Sequence, residues 1–199
     1  LLRSLANLLV DHEASQAQFV AAGGISCILD LLCQTQLPMD VLEYSAAVLA
    51  NATSKNVKAC MALFPEIGHL AKLCSHADAQ ESFREHVARI LANITCQAPE
   101  IPGKALDISA IVQFCSNAQT YDGQLAAANV LGNLAQCEEL RCRIGTEGGI
   151  EALLSLCVCH CDVVKNRALL ALANLAWNAA NQDIIGTHIP QLVRMVSST

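Results

Sequence analysis

Ala171-Leu172-Ala173-Asn174-Leu175 decides the fold, because the same element returns along the whole chain. Its counterparts are Ser4-Leu5-Ala6-Asn7-Leu8, Val48-Leu49-Ala50-Asn51-Ala52, Ile90-Leu91-Ala92-Asn93-Ile94 and Val130-Leu131-Gly132-Asn133-Leu134. The asparagines lie 44, 42, 40 and 41 residues apart, and a leucine always stands two positions before. A second series runs in phase with the first: Ile25, Ile67, Ile108, Ile150 and Ile189, spaced by 42, 41, 42 and 39. Each opens an apolar pattern such as Ile108, Ile111, Val112, Phe114, Cys115 or Ile150, Leu153, Leu154, Leu156, Cys157. That spacing belongs to a helix with one apolar face. Two marker series at one fixed period define an array of helical repeats.

Working outward, each unit contains two main helices and a shorter one that precedes them. The short helix is expected over Ser15–Ala22 and again over Cys137–Ile144. Gly23-Gly24 and Gly148-Gly149 end it, since glycine accepts the left-handed conformation that closes a helix. The second helix starts at the isoleucine and the third carries the asparagine. Pro38, or a polar stretch such as Asn117 to Asp122, separates them. Two units depart from this plan. Pro99 and Pro102 shorten or remove one first helix, and Phe64-Pro65-Glu66 replaces the Gly-Gly break in another. Local bends are expected at both places.

One such unit cannot bury its apolar faces alone, so the units must stack. The expected fold is all-α: a right-handed α-solenoid of three-helix repeats in a single domain over 1–199, without a linker. Partial repeats occupy 1–11 and 180–199. Complete ones run from about 12–54, 55–96, 97–137 and 138–179. The chain opens on Leu1 inside a third helix and stops after a second, so it reads as part of a longer protein. Leu1, Leu2, Leu5, Ile189, Leu192 and Val193 are then expected on open end faces that favour self-association.

Composition agrees. The 199 residues are 53% hydrophobic but only 4% aromatic, so the core is built from Leu, Ile, Val, Ala and Cys. A net charge of -6 opposes a nucleic-acid surface, which needs a basic field. No apolar run is long enough to span a membrane. The 11 cysteines, an odd number set in helical patterns, indicate a reducing compartment, cytosol or nucleus. The sequons at Asn51 and Asn93 fall inside helices, where glycosylation is not expected.

The Gly-Gly-Ile openings, Gly23-Gly24-Ile25 and Gly148-Gly149-Ile150, and the element Ala171-Leu172-Ala173-Asn174-Leu175 together resemble the armadillo repeat family. The resemblance covers essentially the whole chain. It implies a non-catalytic scaffold or adaptor whose third helices line a concave groove. There, the family's asparagines hold the main chain of an extended partner segment. Carried over, the ladder is Asn7, Asn51, Asn93, Asn133 and Asn174. An amide can pair with a peptide unit in either direction. Helix layers ~8–10 Å apart match every second or third residue of a strand rising ~3.3 Å per residue.

One turn earlier on the same face stand Arg3, Ala47, Arg89, Asn129 and Leu170, and two turns earlier Tyr44, His86, Ala126 and Arg167. Importin-α proteins, similar in fold, carry tryptophans at the first of these positions to sandwich lysine stems. This chain has none there; its single tryptophan, Trp177, lies one turn after Asn174. Arg3, Arg89 and Arg167 favour an acidic or mixed segment over a basic one. The alternatives are a self-assembly module and a docking platform of the chaperone or exchange-factor kind for a folded client.

Other chemistries find little support. Cys157, Cys159, His160 and Cys161 use alternate positions without a second ligand pair, which does not suit zinc, so no metal is expected. The six histidines fall in unrelated repeat positions, and no phosphate loop or nucleophile elbow occurs. Neither catalysis nor a cofactor is expected.

Overall fold

Gly23 and Gly148 have φ of +76° and +88°, the left-handed geometry that the Gly-Gly breaks require. The next glycine in each pair is needed for a different reason: packing. A Cβ on Gly24 would strike the Phe19 ring, and one on Gly149 would strike the side chain and carbonyl of Ile144. These breaks turn a short helix sharply into the second helix of its repeat.

The computed structural model describes residues 1–34, 36–75, 79–97 and 106–197. They fall into two compact units, Leu1–Pro99 and Glu100–Thr199. Unit 1 begins with α1 (Leu2–Leu8), a third helix in repeat register. Then come α2 (Glu13–Ala21), α3 (Gly24–Leu32) and α4 (Met39–Thr53), followed by α5 (Val57–Leu63), α6 (Ile67–Leu73) and α7 (Glu81–Gln97). Phe64–Glu66 forms a single 3-10 turn between α5 and α6, so this repeat makes its corner without a left-handed glycine.

Unit 2 runs α8 (Ile108–Asn117), α9 (Tyr121–Leu134), α10 (Glu138–Thr146), α11 (Gly149–Leu156), α12 (Asp162–Leu175), α13 (Ala179–Thr187) and α14 (Ile189–Ser197). No strand occurs among the described residues. The fold is an all-α solenoid stack of three-helix repeats. The region where Pro99 and Pro102 were expected to interrupt a first helix lies outside the described residues.

Local chemistry sets the helix starts. His12 Nδ1 accepts from the Ser15 N–H, so α2 begins before the expected Ser15. Asn56, Asp107, Thr120 and Asn178 cap α5, α8, α9 and α13 with side-chain oxygens. Pro38 directly precedes α4. No single described helix is long and apolar enough to cross a membrane.

The third helices lie side by side: α1 on α4 and α4 on α7 in unit 1, α9 on α12 in unit 2. The second helices cover one side of this layer, as α3 covers α4, α6 covers α7, and α11 covers α12. The apolar series from Ile108 to Cys115 and from Ile150 to Cys157 is buried throughout. So are Leu49, Leu91, Leu131 and Leu172, the leucines two positions before the asparagines. At the ends, Leu1, Ile189 and Val193 are exposed, whereas Leu2, Leu5 and Leu192 are half-buried.

Candidate functional site

Asn51, Asn93 and Asn174 sit at the same place on three third helices, and each spends its amide on the helix before it. Asn51 Nδ2 donates to the Ala6 carbonyl at 3.0 Å. Asn93 Nδ2 donates to the Ala50 carbonyl at 3.2 Å and to Thr53 Oγ1 at 3.0 Å. Asn174 Nδ2 donates to the Gly132 carbonyl at 3.1 Å. A carbonyl can only accept, so the atom facing it must be the amide nitrogen. The acceptor is always the residue immediately before the previous repeat's asparagine. Those residues are Ala or Gly, which lets two helix backbones approach closely. At Gly132 an added Cβ would meet the Ala171 Cβ at 3.4 Å.

On Asn93 the amide therefore does not offer both of its functions outward, as the sequence implied. Asn93 has used both N–H groups in the pin between α7 and α4. What remains on Asn93 is Oδ1, and on Asn174 Oδ1 and one N–H; neither oxygen takes a protein hydrogen bond or is buried. Such an oxygen accepts from a backbone N–H. Asn51 differs: its Oδ1 already accepts from Arg89 Nη2 at 3.1 Å.

Arg89 reaches back from α7 to α4 for that bond, and its Nη1 faces His86 Nδ1 at 3.4 Å. Guanidinium has no acceptor, so this nitrogen of His86 is the unprotonated one. Asn51, His86 and Arg89 thus form one connected group in unit 1. Tyr44 is half-buried on α4, while Arg3 and Asn7 are exposed on α1. In unit 2, Asn129 and Asn133 are half-buried on α9, Arg167 is exposed on α12, and Trp177 is 79% exposed just beyond it. Leu170, one turn before Asn174, is 55% exposed, an open apolar point on the same face.

A second set of contacts has no counterpart in the sequence reading. The fourth residue of a first helix ties down the end of the preceding third helix. Gln16 Nε2 donates to the Leu9 carbonyl at 3.0 Å and to the Asn51 carbonyl at 3.0 Å. Arg141 Nε donates to Ala135 O at 2.8 Å, and Gln182 Nε2 to Ala176 O at 2.9 Å. Cys60 Sγ donates to Thr53 O at 3.4 Å. Asn181, buried, joins the Arg141 and Leu175 carbonyls at 2.8 and 3.1 Å. The last carbonyls of a helix lack intrahelical partners, and at Leu9, Thr53, Ala135 and Ala176 these side chains supply them. The signal was a polar residue recurring near one helix position, but it changes type too often to be seen by eye.

Replacing Asn93 with alanine removes both hydrogen bonds to α4, and an unfolding-midpoint shift of about 1–2 kcal/mol is expected in urea. Asn93→Asp is expected to cost more, because a carboxylate would face the Ala50 carbonyl and Thr53 Oγ1 without an N–H to offer.

None of the eleven cysteines is in a disulfide. Cys74, Cys115 and Cys157 occupy the same position in their repeats, each packed as a small apolar side chain. Burial, with Cys96 as a smaller influence, pushes the Cys60 thiol up to about 11. Burial and then Cys159 push Cys157 to about 11. Burial, then Glu66 and Asp30, raise Cys33. Thiolate is the reactive form, so alkylation at mild pH is expected at Cys27 and Cys142 and not at Cys60 or Cys157 until unfolding. Mass mapping after iodoacetamide treatment checks this. A folded-state thiol pKa above the unfolded one, ~8.5, adds stability that is complete below that value. It is lost as pH rises toward 11.

Among the described residues, no group of three or more His, Cys, Asp or Glu side chains is placed to hold a metal ion.

Third helices pinned side by side through a recurrent asparagine, with second helices behind them, define an α-helical repeat protein. No family model matches the chain, and no curated protein does. Among solved structures, an engineered protein is 28% identical over 88% of this chain and 71% of its own, with a TM-score of 0.73. A computationally designed armadillo repeat protein for modular peptide recognition is 22% identical, with 94% and 79% covered and a TM-score of 0.80. A designed armadillo repeat protein in complex with the peptide (KR)4 is 22% identical, with 97% and 82% covered and a TM-score of 0.78. The chain has the armadillo repeat fold.

Proposed function

We propose that this chain is a non-catalytic protein-binding scaffold that holds an extended segment of a partner along its third helices. The observation that carries the reading is the Oδ1 left open on Asn93 and on Asn174 while the amide nitrogen is held by the neighbouring helix. Within each unit, a fixed acceptor on a third helix suits an N–H group of an extended chain, whose affinity then comes from the main chain. Similarity in fold to designed proteins made for peptide recognition supports it. In unit 1, Tyr44, His86 and Arg89 would supply side-chain selectivity, with Arg3 and Asn7 adding contacts on α1; in unit 2, Asn129, Arg167 and Trp177 would supply it. The exposed arginines on this face favour a segment of acidic or mixed charge. Eleven cysteines without a disulfide favour the cytosol or nucleus.

The test is a peptide-array screen with the intact chain and with Asn93→Ala and Asn174→Ala. Weakened capture of the same peptides is expected. Unchanged capture by both variants, shown to be folded, would overturn the reading. A second reading, self-association, is favoured by the exposure of Leu1, Ile189 and Val193. Mass measured across a concentration series separates the two, since a strictly monomeric chain excludes the second.

A further inference from the structure

The structure assigns to unit 1 a subsite for an acidic side chain of the bound segment, centred on Arg89. This rests on the extended-segment reading above and adds to it a chemical preference at one position. Arg89 is half-buried on α7, and its two hydrogen-bond partners, Asn51 Oδ1 and His86 Nδ1, are both neutral acceptors. Neither Arg143–Glu147 nor Lys165–Asp162, ion pairs of unit 2, involves it. Glu85 stands one turn earlier on α7, but the guanidinium reaches across to α4 instead. The result is a cation that pairs with no carboxylate among the described residues, in a protein of net charge -6.

A guanidinium presents five N–H donors in a planar fork. The contacts to Asn51 and His86 leave donors over. The most favourable partner for those is a carboxylate, which can take two parallel N–H···O bonds.

The fork is also held in advance. Asn51 is itself fixed, its Nδ2 on the Ala6 carbonyl and its backbone carbonyl accepting from Gln16. Arg89 is therefore oriented by a chain of hydrogen bonds running from α1 through α4 to α7. A side chain already ordered loses less freedom when it binds, which raises affinity without adding contacts. The equivalent positions on the other third helices are Arg3, Ala47, Asn129 and Leu170. Ala47 and Leu170 have no charge to offer, Asn129 is neutral, and Arg3 is exposed on α1. The acidic preference is therefore a property of the α4–α7 pair and not of every repeat.

The test uses the whole chain and an array of ten-residue peptides of Ser, Ala and Gly, each carrying Glu, Gln or Lys at one scanned position. Peptides with Glu are expected to bind roughly tenfold or more tightly than the Gln isosteres at one register, the difference shrinking as salt is raised. Arg89→Ala should abolish the difference, and Arg89→Lys should retain part of it. Lys58→Ala and Lys72→Ala, on α5 and α6 rather than on a third helix, should leave it intact. Should Arg89→Ala unfold the chain, Arg89→Gln and the Glu-against-Gln comparison on the unaltered chain still decide. Binding of Glu and Gln peptides alike, or a preference that survives Arg89→Ala or is lost through Lys58 or Lys72, overturns the subsite and leaves the scaffold reading standing. Failure of every peptide to bind overturns both.

Discussion

Leu49→Ala is expected to lower the unfolding free energy by about 2–5 kcal/mol, the range for a leucine removed from a closed core. Leu49 is 0% exposed on α4, the helix that α1, α3, α5 and α7 all touch. In a repeat stack, each unit leans on its neighbours for burial, so a cavity here weakens two interfaces together. Relaxation is limited, because Ala46, Ala50 and Ala52 around it are already small and buried. Urea denaturation followed by circular dichroism measures the loss. Trp177→Ala provides the contrast. Trp177 is far larger but 79% exposed, and its replacement should shift stability by less than about 0.5 kcal/mol. Equal losses for the two variants would place the core elsewhere.

Gly149→Val is expected to rank beside it, at about 3 kcal/mol or more. Overpacking alone costs ~1–3 kcal/mol when side chains can move aside. Here one of the atoms a Cβ would meet is the Ile144 carbonyl, part of the last turn of α10, which cannot rotate away. A branched side chain makes the conflict worse, and its only relief is to pull α11 from α10. Gly148, one residue earlier at φ +88°, removes further latitude. The control is Gly186→Ala, where no atom lies within 4 Å of the added carbon. It should be neutral or gain up to ~1 kcal/mol, since alanine restricts the unfolded chain more than glycine does. Thermal melts of the two variants should move in opposite directions or leave only Gly149→Val shifted.

Helix identity and repeat register were legible because apolar spacing is a local property. The Ile108 and Ile150 patterns produced helices at those residues, and the Gly-Gly pairs produced left-handed corners. The exceptions were also local in cause. His12 accepts from Ser15 N–H and draws the start of α2 back to Glu13. Phe64–Glu66 coils into a 3-10 turn, so a repeat lacking Gly-Gly still makes its corner. The carbonyl ties of Gln16, Asn181 and Arg141 were not legible. Each reaches from one helix to the backbone of another, and its residue type varies from repeat to repeat.

Period and register came from the sequence by itself: five asparagines, each two residues after a leucine, mark five equivalent helices wherever the chain is read. Which end of each amide is left for a partner was decided only by the tertiary structure. Asn51, Asn93 and Asn174 find their acceptors 42 to 45 residues away in the chain. Those carbonyls come within 3.2 Å only because small residues let the third helices close on one another. A hydrogen bond of that kind depends on the distance between two helix axes, and no pattern along a single helix encodes it.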